Sequence, residues 1–178
     1  ESLAARVGLL KGIAAGPTFD EVISNLVYTE GAHSLCKALK KLGYRLAVIS
    51  GGFTAITSHV RRELQLDYDY ANTMGVDAGT GLFTGATVGP VVNAQRKADL
   101  LMTIAQLENI SLDQVVAIGD GANDLPMLGV AGLGVAFNAK PAVQEAASFR
   151  LNVKNLDAVL YLLGYSEREQ MELAGLPG

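Results

Sequence analysis

One segment of the sequence, residues 119–124, reads Gly-Asp-Gly-Ala-Asn-Asp and places carboxylates next to glycines. It follows an apolar run typical of a buried strand and precedes a predicted helix. Asp120, at the end of that strand, could bind a hard cation, because such ions prefer oxygen ligands. Asp124 could support those ligands from behind. The alternative is an ordinary turn in which Asp124 serves only as the N-cap of the helix.

A second segment, Ser50-Gly51-Gly52, follows another predicted strand. A hydroxyl and free backbone N–H groups at the start of the next helix can bind an anion, although the same pattern is common in ordinary strand-to-helix turns. Lys97 lies near the start of a further predicted helix, where its charge opposes the helix dipole. The lysine therefore either serves a site or is simply solvated.

Taken together, these residues supply an anion-binding turn, a fixed positive charge and a metal-binding carboxylate. Phosphoryl transfer needs such parts, because the charge on the equatorial oxygens of the transferring group must be offset. The sequence has no Gly-x-x-x-x-Gly-Lys-Ser/Thr loop and no Gly-x-Ser-x-Gly motif. A nucleoside-triphosphate loop and a serine nucleophile of the α/β-hydrolase type are therefore unsupported.

Short apolar runs alternate with helical patterns along the chain. Predicted strands occupy residues 44–49, 68–71, 115–119, 133–137 and 149–152, with a β-hairpin over 73–92. Predicted helices occupy residues 2–15, 18–27, 31–42, 53–64, 94–108, 124–131, 141–147 and 156–163, with a break at Gly16-Pro17 and a fraying tail from Ser166. This alternation predicts an α/β fold with a Rossmann-like parallel sheet and helices on both faces. Reactive groups should then lie at the carboxyl ends of strands.

The composition is that of a globular chain. Of the 178 residues, 49% are hydrophobic and 18% are charged, and the net charge is −4. There is enough apolar material for a core and no basic stripe for a nucleic acid. The single cysteine excludes an intrachain disulfide, and no apolar run approaches the ~18 residues of a membrane span. We expect a soluble cytoplasmic protein without nucleic-acid or membrane partners.

Several stretches resemble phosphoserine phosphatases of the haloacid dehalogenase superfamily. They cover nearly the whole chain and lie at residues 2–7, 29–32, 48–53, 66–72, 117–124 and 136–141. The most specific are Ser-Gly-Gly-Phe at 50–53 and the segment at 119–124. The resemblance implies a haloacid-dehalogenase-like core with part of a helical cap at the N-terminus. It also implies Mg²⁺-dependent hydrolysis of O-phospho-L-serine through an aspartyl-phosphate intermediate, in serine biosynthesis.

The same resemblance implies which residues bind the substrate. Ser50 and Gly51 match residues that bind the phosphoryl group, and Asn123 completes that site. Arg6 matches the cap-domain arginine that holds the substrate carboxylate. A guanidinium fork suits a carboxylate bidentately, which fits Arg6 independently of the resemblance.

The catalytic and metal-binding residues are implied in the same way. Lys97 matches the lysine of a family motif, and Asp120 matches a ligand of Mg²⁺. Asp124 completes the catalytic set. The resemblance thus assigns Mg²⁺ as the cofactor and a phosphomonoester, phosphoserine, as the small-molecule partner.

The sequence departs from the family at one motif. The family's Asp-x-Asp-x-Thr/Val segment, which carries the nucleophile and the general acid, is absent. Asp67-Tyr-Asp69 has the spacing but lacks the following Thr or Val. We therefore expect residues 1–28 to be a remnant of the helical cap, 29–165 the phosphatase core and 166–178 a tail. A missing N-terminal segment would contain the nucleophile and the central strand, so that the chain alone would be inactive.

Two alternatives stay open at this point. The chain is either a catalytic core, as above, or a non-catalytic fragment or assembly module, in which case a homo-oligomer would complete the sheet. A phosphatase of the same superfamily that acts on another small phosphomonoester is the second alternative. The intact mass of the protein distinguishes a fragment or module from a catalytic core. The substrate preference distinguishes a phosphoserine phosphatase from a phosphatase for another phosphomonoester.

Overall fold

The computed structural model describes residues 2–175. Its α-helices are α1 (Leu3–Gly8), α2 (Ala15–Ser24), α3 (Ala32–Lys41), α4 (Thr54–Leu64), α5 (Ala94–Leu107), α6 (Leu125–Val130), α7 (Pro141–Ala146), α8 (Val159–Leu162) and α9 (Glu167–Ala174). Its strands are β1 (Ala47–Phe53), β2 (Tyr68–Val76), β3 (Phe83–Val88), β4 (Val116–Gly119), β5 (Leu133–Phe137) and β6 (Phe149–Leu151). Short 3₁₀ helices occupy Leu112–Gln114, Ala122–Asp124 and Leu156–Ala158.

The chain divides into two compact units, each built around a three-stranded sheet. The first unit comprises Ala47–Val92 and the residues up to Val27, and the second comprises Tyr28–Leu46 and the residues from Asn93 onward. In the first sheet β1 and β2 are parallel and β3 is antiparallel to β2. In the second sheet β4, β5 and β6 are all parallel. Within the described residues, β1 and β4 are edge strands of their sheets.

The core of the first unit joins α1 and α2 to the hairpin of β2 and β3. Its fully buried members are Val7, Ala15, Met74 and Phe83. Phe19, on α2, packs edge-on against Phe83 with ring centroids 5.3 Å apart. Such aromatic pairs contribute about 0.5–1.5 kcal/mol beyond the area they bury. Helix α4, which begins directly after β1, covers the parallel pair β1 and β2.

The core of the second unit holds its parallel sheet between helices. One cluster, from α3 and the region of α8, consists of Leu35, Ala38, Val159 and Leu160. A smaller cluster, from β5 and α7, consists of Ala136, Ala139 and Val143. The central strand β5 is the most deeply buried, and two of its residues, Val135 and Ala136, have no exposed surface. Strands buried on both faces are apolar throughout, which explains the continuous run that identified β5.

The predicted α/β class is confirmed, with parallel strands flanked by helices. Strand β5 has the predicted bounds, but β1 does not: it was expected at 44–49 and occupies Ala47–Phe53. Ser50-Gly51-Gly52 therefore lies within the strand rather than after it. The pairing of β1 with β2 is irregular between Ile49 and Phe53, because glycines in a strand interior favour bulges.

Two local predictions at the ends of the chain are wrong. The first helix was predicted over residues 2–15 but ends at Gly8. Gly16-Pro17 was predicted to break the helical pattern but lies in the first turn of α2. Proline is tolerated there because its missing N–H would have no helical partner. The tail from Ser166, expected to fray, contains α9, which is capped by Ser166 and Glu169. Residues 176–178 of that tail lie outside the described residues, and the division into cap, core and tail stays a prediction.

No helix in the described part of the chain has both the length and the apolar character needed to cross a membrane.

Candidate active site

A buried ion pair between Lys97 and Asp124 lies at the centre of the candidate site in the second unit. The two residues are only 6% and 5% exposed. Lys97 Nζ donates to Asp124 Oδ1 at 2.6 Å. The other carboxylate oxygen, Oδ2, accepts the backbone N–H of Asp120 at 3.2 Å and that of Gly121 at 3.1 Å. Asp124 therefore links the lysine of α5 to the loop that follows β4.

The glycine that ends β4 makes room for this carboxylate. A Cβ at Gly119 would lie 2.5 Å from the Cβ and 2.8 Å from Oδ2 of Asp124. A real side chain does not approach another so closely, and Asp124 cannot retreat without leaving Lys97. Gly119 is therefore required by the packing around the Lys97–Asp124 ion pair, where only a residue without a Cβ fits.

Asp120 lines an open pocket at the carboxyl ends of β4 and β5. The pocket has a volume of about 380 Å³ and is lined by Thr29, Ile118, Gly119, Asp120, Phe137 and Asn138. Gly119 and Phe137 are the last residues of their parallel strands, which places the pocket where α/β sheets bind ligands. Asp120 is exposed, so that its carboxylate is accessible from the pocket.

The donor set around Asp120 fits part of a Mg²⁺ site. Mg²⁺ is usually held by one or two carboxylates together with waters and substrate phosphates, and the exposed Asp120 carboxylate can supply one such ligand. Both carboxylate oxygens of Asp124 are already engaged, one with Lys97 and the other with the backbone N–H groups of Asp120 and Gly121. Within residues 2–175, no group of three or more His, Cys, Asp or Glu side chains is placed to hold a metal.

The residues Ser50-Gly51-Gly52 form a turn within the irregular part of β1, between Ile49 and Phe53, and belong to the first unit. Ser50 Oγ accepts the backbone N–H of Gly52 at 2.9 Å, and all three residues are half-buried. Because the oxygen already accepts this hydrogen bond, the hydroxyl proton of Ser50 is directed elsewhere and can be donated to an anion. The N–H of Gly52 is thus used within the turn, and anion binding by Ser50 and Gly51 stays a prediction.

The predicted site residues fall into two sets. Lys97, Asp120 and Asp124 are brought together in the second unit, and Asn123 lies beside them in an exposed position of the 3₁₀ turn. Arg6, at the exposed end of α1, belongs to the first unit with Ser50 and Gly51. A common site formed by both sets stays a prediction.

Asp69, the second aspartate of the Asp67-Tyr-Asp69 segment, is already engaged. It accepts a hydrogen bond from Ser58 Oγ at 2.7 Å and forms an ion pair with Arg61 Nε at 3.2 Å. Only 13% of its side chain is exposed. These contacts support the expectation that the Asp67-Tyr-Asp69 segment does not supply a nucleophile.

Sequence reasoning missed Asn72, which is only 1% exposed and hydrogen-bonds to the Ser50-Gly51-Gly52 turn. An asparagine is uncommon inside a strand, and its place near the middle of β2 was the available signal.

The fold and the site correspond to one class of enzyme. The family model for the haloacid dehalogenase-like hydrolases matches residues 3–129. The chain therefore belongs to the haloacid dehalogenase-like hydrolases.

Within that family the chain is similar to phosphoserine phosphatases. It is 49% identical over 174 residues to the phosphoserine phosphatase of Streptomyces coelicolor, covering 98% of this chain and 42% of that protein. It is 42% identical over 169 residues to the phosphoserine phosphatase of Saccharomyces cerevisiae, covering 95% of this chain and 54% of that protein. The chain thus spans about half the length of these curated relatives.

Solved structures of phosphoserine phosphatases have the same fold. The unliganded probable phosphoserine phosphatase from Vibrio cholerae superposes with a TM-score of 0.86 at 36% identity, covering 98% of this chain and 52% of that one. A substrate-bound phosphoserine phosphatase complex gives a TM-score of 0.83 at 39% identity, with coverages of 90% and 75%. A phospho-aspartyl intermediate analogue of phosphoserine phosphatase gives the same TM-score, identity and coverages.

Proposed function

We propose that the full-length protein containing this chain is a Mg²⁺-dependent phosphatase that hydrolyses O-phospho-L-serine to serine and phosphate. The observation that carries the proposal is the buried Lys97–Asp124 pair directly behind the exposed Asp120 carboxylate. This arrangement holds a positive charge and a hard-cation ligand at the carboxyl end of a parallel strand. The similarity to phosphoserine phosphatases supports the choice of substrate.

The roles of the residues follow from the charge that develops on a transferring phosphoryl group. The Nζ of Lys97 has three donors, and Asp124 uses one, so two remain for phosphoryl oxygens. Ser50 and the backbone of Gly51 donate to the same group. Asp120 would hold Mg²⁺, which when bound polarises the phosphoryl group as a Lewis acid. Asn123, exposed beside Asp120, completes the binding of the substrate.

The nucleophile is proposed to come from a segment outside these 178 residues. No Asp-x-Asp-x-Thr/Val motif occurs in the sequence, and a relative has been solved as a phospho-aspartyl intermediate analogue. The proposed segment carries an aspartate that attacks the phosphorus, so that an acyl phosphate forms and is then hydrolysed by water. The same segment is proposed to supply the further strand that completes the sheet of the phosphatase core.

Arg6 gives the proposal a test of substrate class. We expect Arg6→Ala in the full-length protein to lower kcat/KM for L-phosphoserine by about 10²-fold, because a bidentate charge-assisted contact to the carboxylate is lost. Turnover of O-phosphoethanolamine, which lacks the carboxylate, should not change. The steady-state rates of both substrates are measured for the variant and for Arg62→Ala, an exposed arginine of α4. Equal losses on both substrates would remove Arg6 from carboxylate recognition.

Asp120 gives a test of the metal site. We expect Asp120→Asn to raise the Mg²⁺ concentration needed for half-maximal activity and to lower the rate at saturating Mg²⁺ by about 10²–10³-fold, the usual effect of losing one such electrostatic contact. Mg²⁺ titrations of phosphate release, with direct binding by calorimetry, separate the two effects. Asp113→Asn, an exposed aspartate in the 3₁₀ helix before β4, is the matched control. Wild-type Mg²⁺ affinity in Asp120→Asn would contradict the assignment.

A further inference from the structure

A single buried amide holds the backbone of the Ser50-Gly51-Gly52 turn. Asn72 lies on β2 of the first unit with 1% of its surface exposed. Its Nδ2 donates to Gly51 O at 2.8 Å and to Gly52 O at 3.2 Å. Its Oδ1 accepts the backbone N–H of Val92 at 2.8 Å. The amide thus contacts two successive carbonyls of the turn and is anchored on its opposite side.

The contact with Gly51 O also determines the environment of the Ser50 hydroxyl. The carbonyl of Gly51 and the N–H of Gly52 belong to one planar peptide unit, and that N–H donates to Ser50 Oγ at 2.9 Å. A hydrogen bond that fixes the carbonyl therefore fixes the direction of the N–H as well. Through this peptide unit, the hydrogen bond from Asn72 orients the N–H that Ser50 Oγ accepts.

Only an amide meets the requirements of this position. The carbonyls of the turn need a donor and the N–H of Val92 needs an acceptor, and asparagine presents both on one short side chain. Aspartate has the same shape, but it would direct a carboxylate oxygen at two carbonyl oxygens. The anchor on Val92 prevents the amide from turning over, because an inverted amide would oppose donor to donor and acceptor to acceptor.

We propose that Asn72 is a positioning residue for phosphoryl binding, which sets the orientation of the Ser50 hydroxyl and the neighbouring backbone without touching the substrate. The proposal rests on the proposed function, in which Ser50 and Gly51 bind the phosphoryl group. It extends that function to a residue that lies 20 or more positions away in sequence from the turn it controls.

The test compares Asn72→Asp with Asn72→Ala in the full-length protein. We expect kcat/KM for phosphoserine to fall by about 10–10²-fold in both, as for a small misplacement of binding groups, and the inhibition constant of inorganic phosphate to rise. Met74→Ala is the control for stability, because it opens a cavity in the core two residues further along β2. When the concentration of Met74→Ala is corrected for its folded fraction, the inhibition constant of phosphate for this variant should equal that of the wild type.

A double variant separates positioning from simple destabilisation. Because Asn72 acts largely through Ser50, Asn72→Asp should cost less in a Ser50→Ala background than in the wild type. Full additivity, or an unchanged inhibition constant for phosphate in both Asn72 variants, would overturn the proposal. If wild type itself does not hydrolyse phosphoserine, the proposed function fails instead. If wild type is active and Ser50→Ala is impaired while both Asn72 variants are normal, only the inference about Asn72 fails.

Discussion

The 178-residue chain, prepared alone, is expected to release no phosphate from phosphoserine above the uncatalysed background. It offers Lys97, Asp120 and the Ser50 turn, but its sequence lacks the Asp-x-Asp-x-Thr/Val motif that would carry the proposed nucleophile. Asp69 is held by Ser58 and Arg61 and is not a substitute. Enzymes accelerate phosphate-monoester hydrolysis by up to ~10²¹-fold, so losing the attacking and protonating carboxylates leaves nothing that a phosphate-release assay detects.

The same preparation should be poorly stable. In the part of the chain that the structure describes, β1 and β4 are edge strands, and exposed edges favour association. Light scattering and thermal unfolding at several protein concentrations measure this association. The full-length protein, assayed under identical conditions with Mg²⁺, is the positive control. A preparation with the intact mass of residues 1–178 that is monomeric, cooperatively folded and active would contradict both the placement of the missing strand and the catalytic assignment.

Breaking the buried ion pair is the second change with a large expected effect. Lys97→Ala in the full-length protein should lower the rate by about 10²–10³-fold, because in the proposed function its charge stabilises the transferring phosphoryl group. The free energy of unfolding should also fall by about 3–5 kcal/mol, since Asp124 would remain buried without its partner. Steady-state kinetics and denaturant unfolding measure the two effects. Arg168→Ala, which removes the exposed ion pair with Glu172, should change stability by no more than about 0.5 kcal/mol and leave the rate unchanged.

A double variant distinguishes the catalytic role of Lys97 from its structural one. Lys97→Met combined with Asp124→Asn removes both charges, and the asparagine oxygen can still accept the N–H groups of Asp120 and Gly121. Stability should largely recover, because no unpaired charge stays buried, whereas the rate should stay low. Recovery of the rate together with stability would make Lys97 a structural residue only.

The sequence indicated candidate site residues in the second unit but not the contacts between their side chains. The segment at 119–124 and the strand before it were recognisable because apolar runs, glycines and carboxylates each have local signatures. The ion pair between Lys97 and Asp124 was not predicted, since it joins residues 27 positions apart, and only packing of α5 against α6 brings them together. The alternative in which Asp124 serves only as the N-cap of the helix is wrong, because its side chain makes no capping hydrogen bond to α6 and binds Lys97 and the preceding loop instead.

Other differences have equally specific causes. The end of β1 was misplaced because Ser50-Gly51-Gly52 has the composition of a turn, although the pairing with β2 resumes after it at Phe53. Helix α9 was missed because its surface is polar, although the spacing of Ser166 and Glu169 is that of a capping box. The contacts of Asn72 could not be predicted locally, because its partners lie 20 and 21 residues before it and 20 residues after it.

The substrate preference of the purified full-length protein tests whether it is a Mg²⁺-dependent phosphoserine phosphatase. Phosphate release is measured with and without Mg²⁺ for L-phosphoserine, O-phosphoethanolamine and a set of sugar phosphates at matched concentrations. We expect Mg²⁺-dependent hydrolysis with the highest kcat/KM for L-phosphoserine. A protein that hydrolyses sugar phosphates and ignores phosphoserine, or that is fully active after removal of all divalent metal, would contradict it.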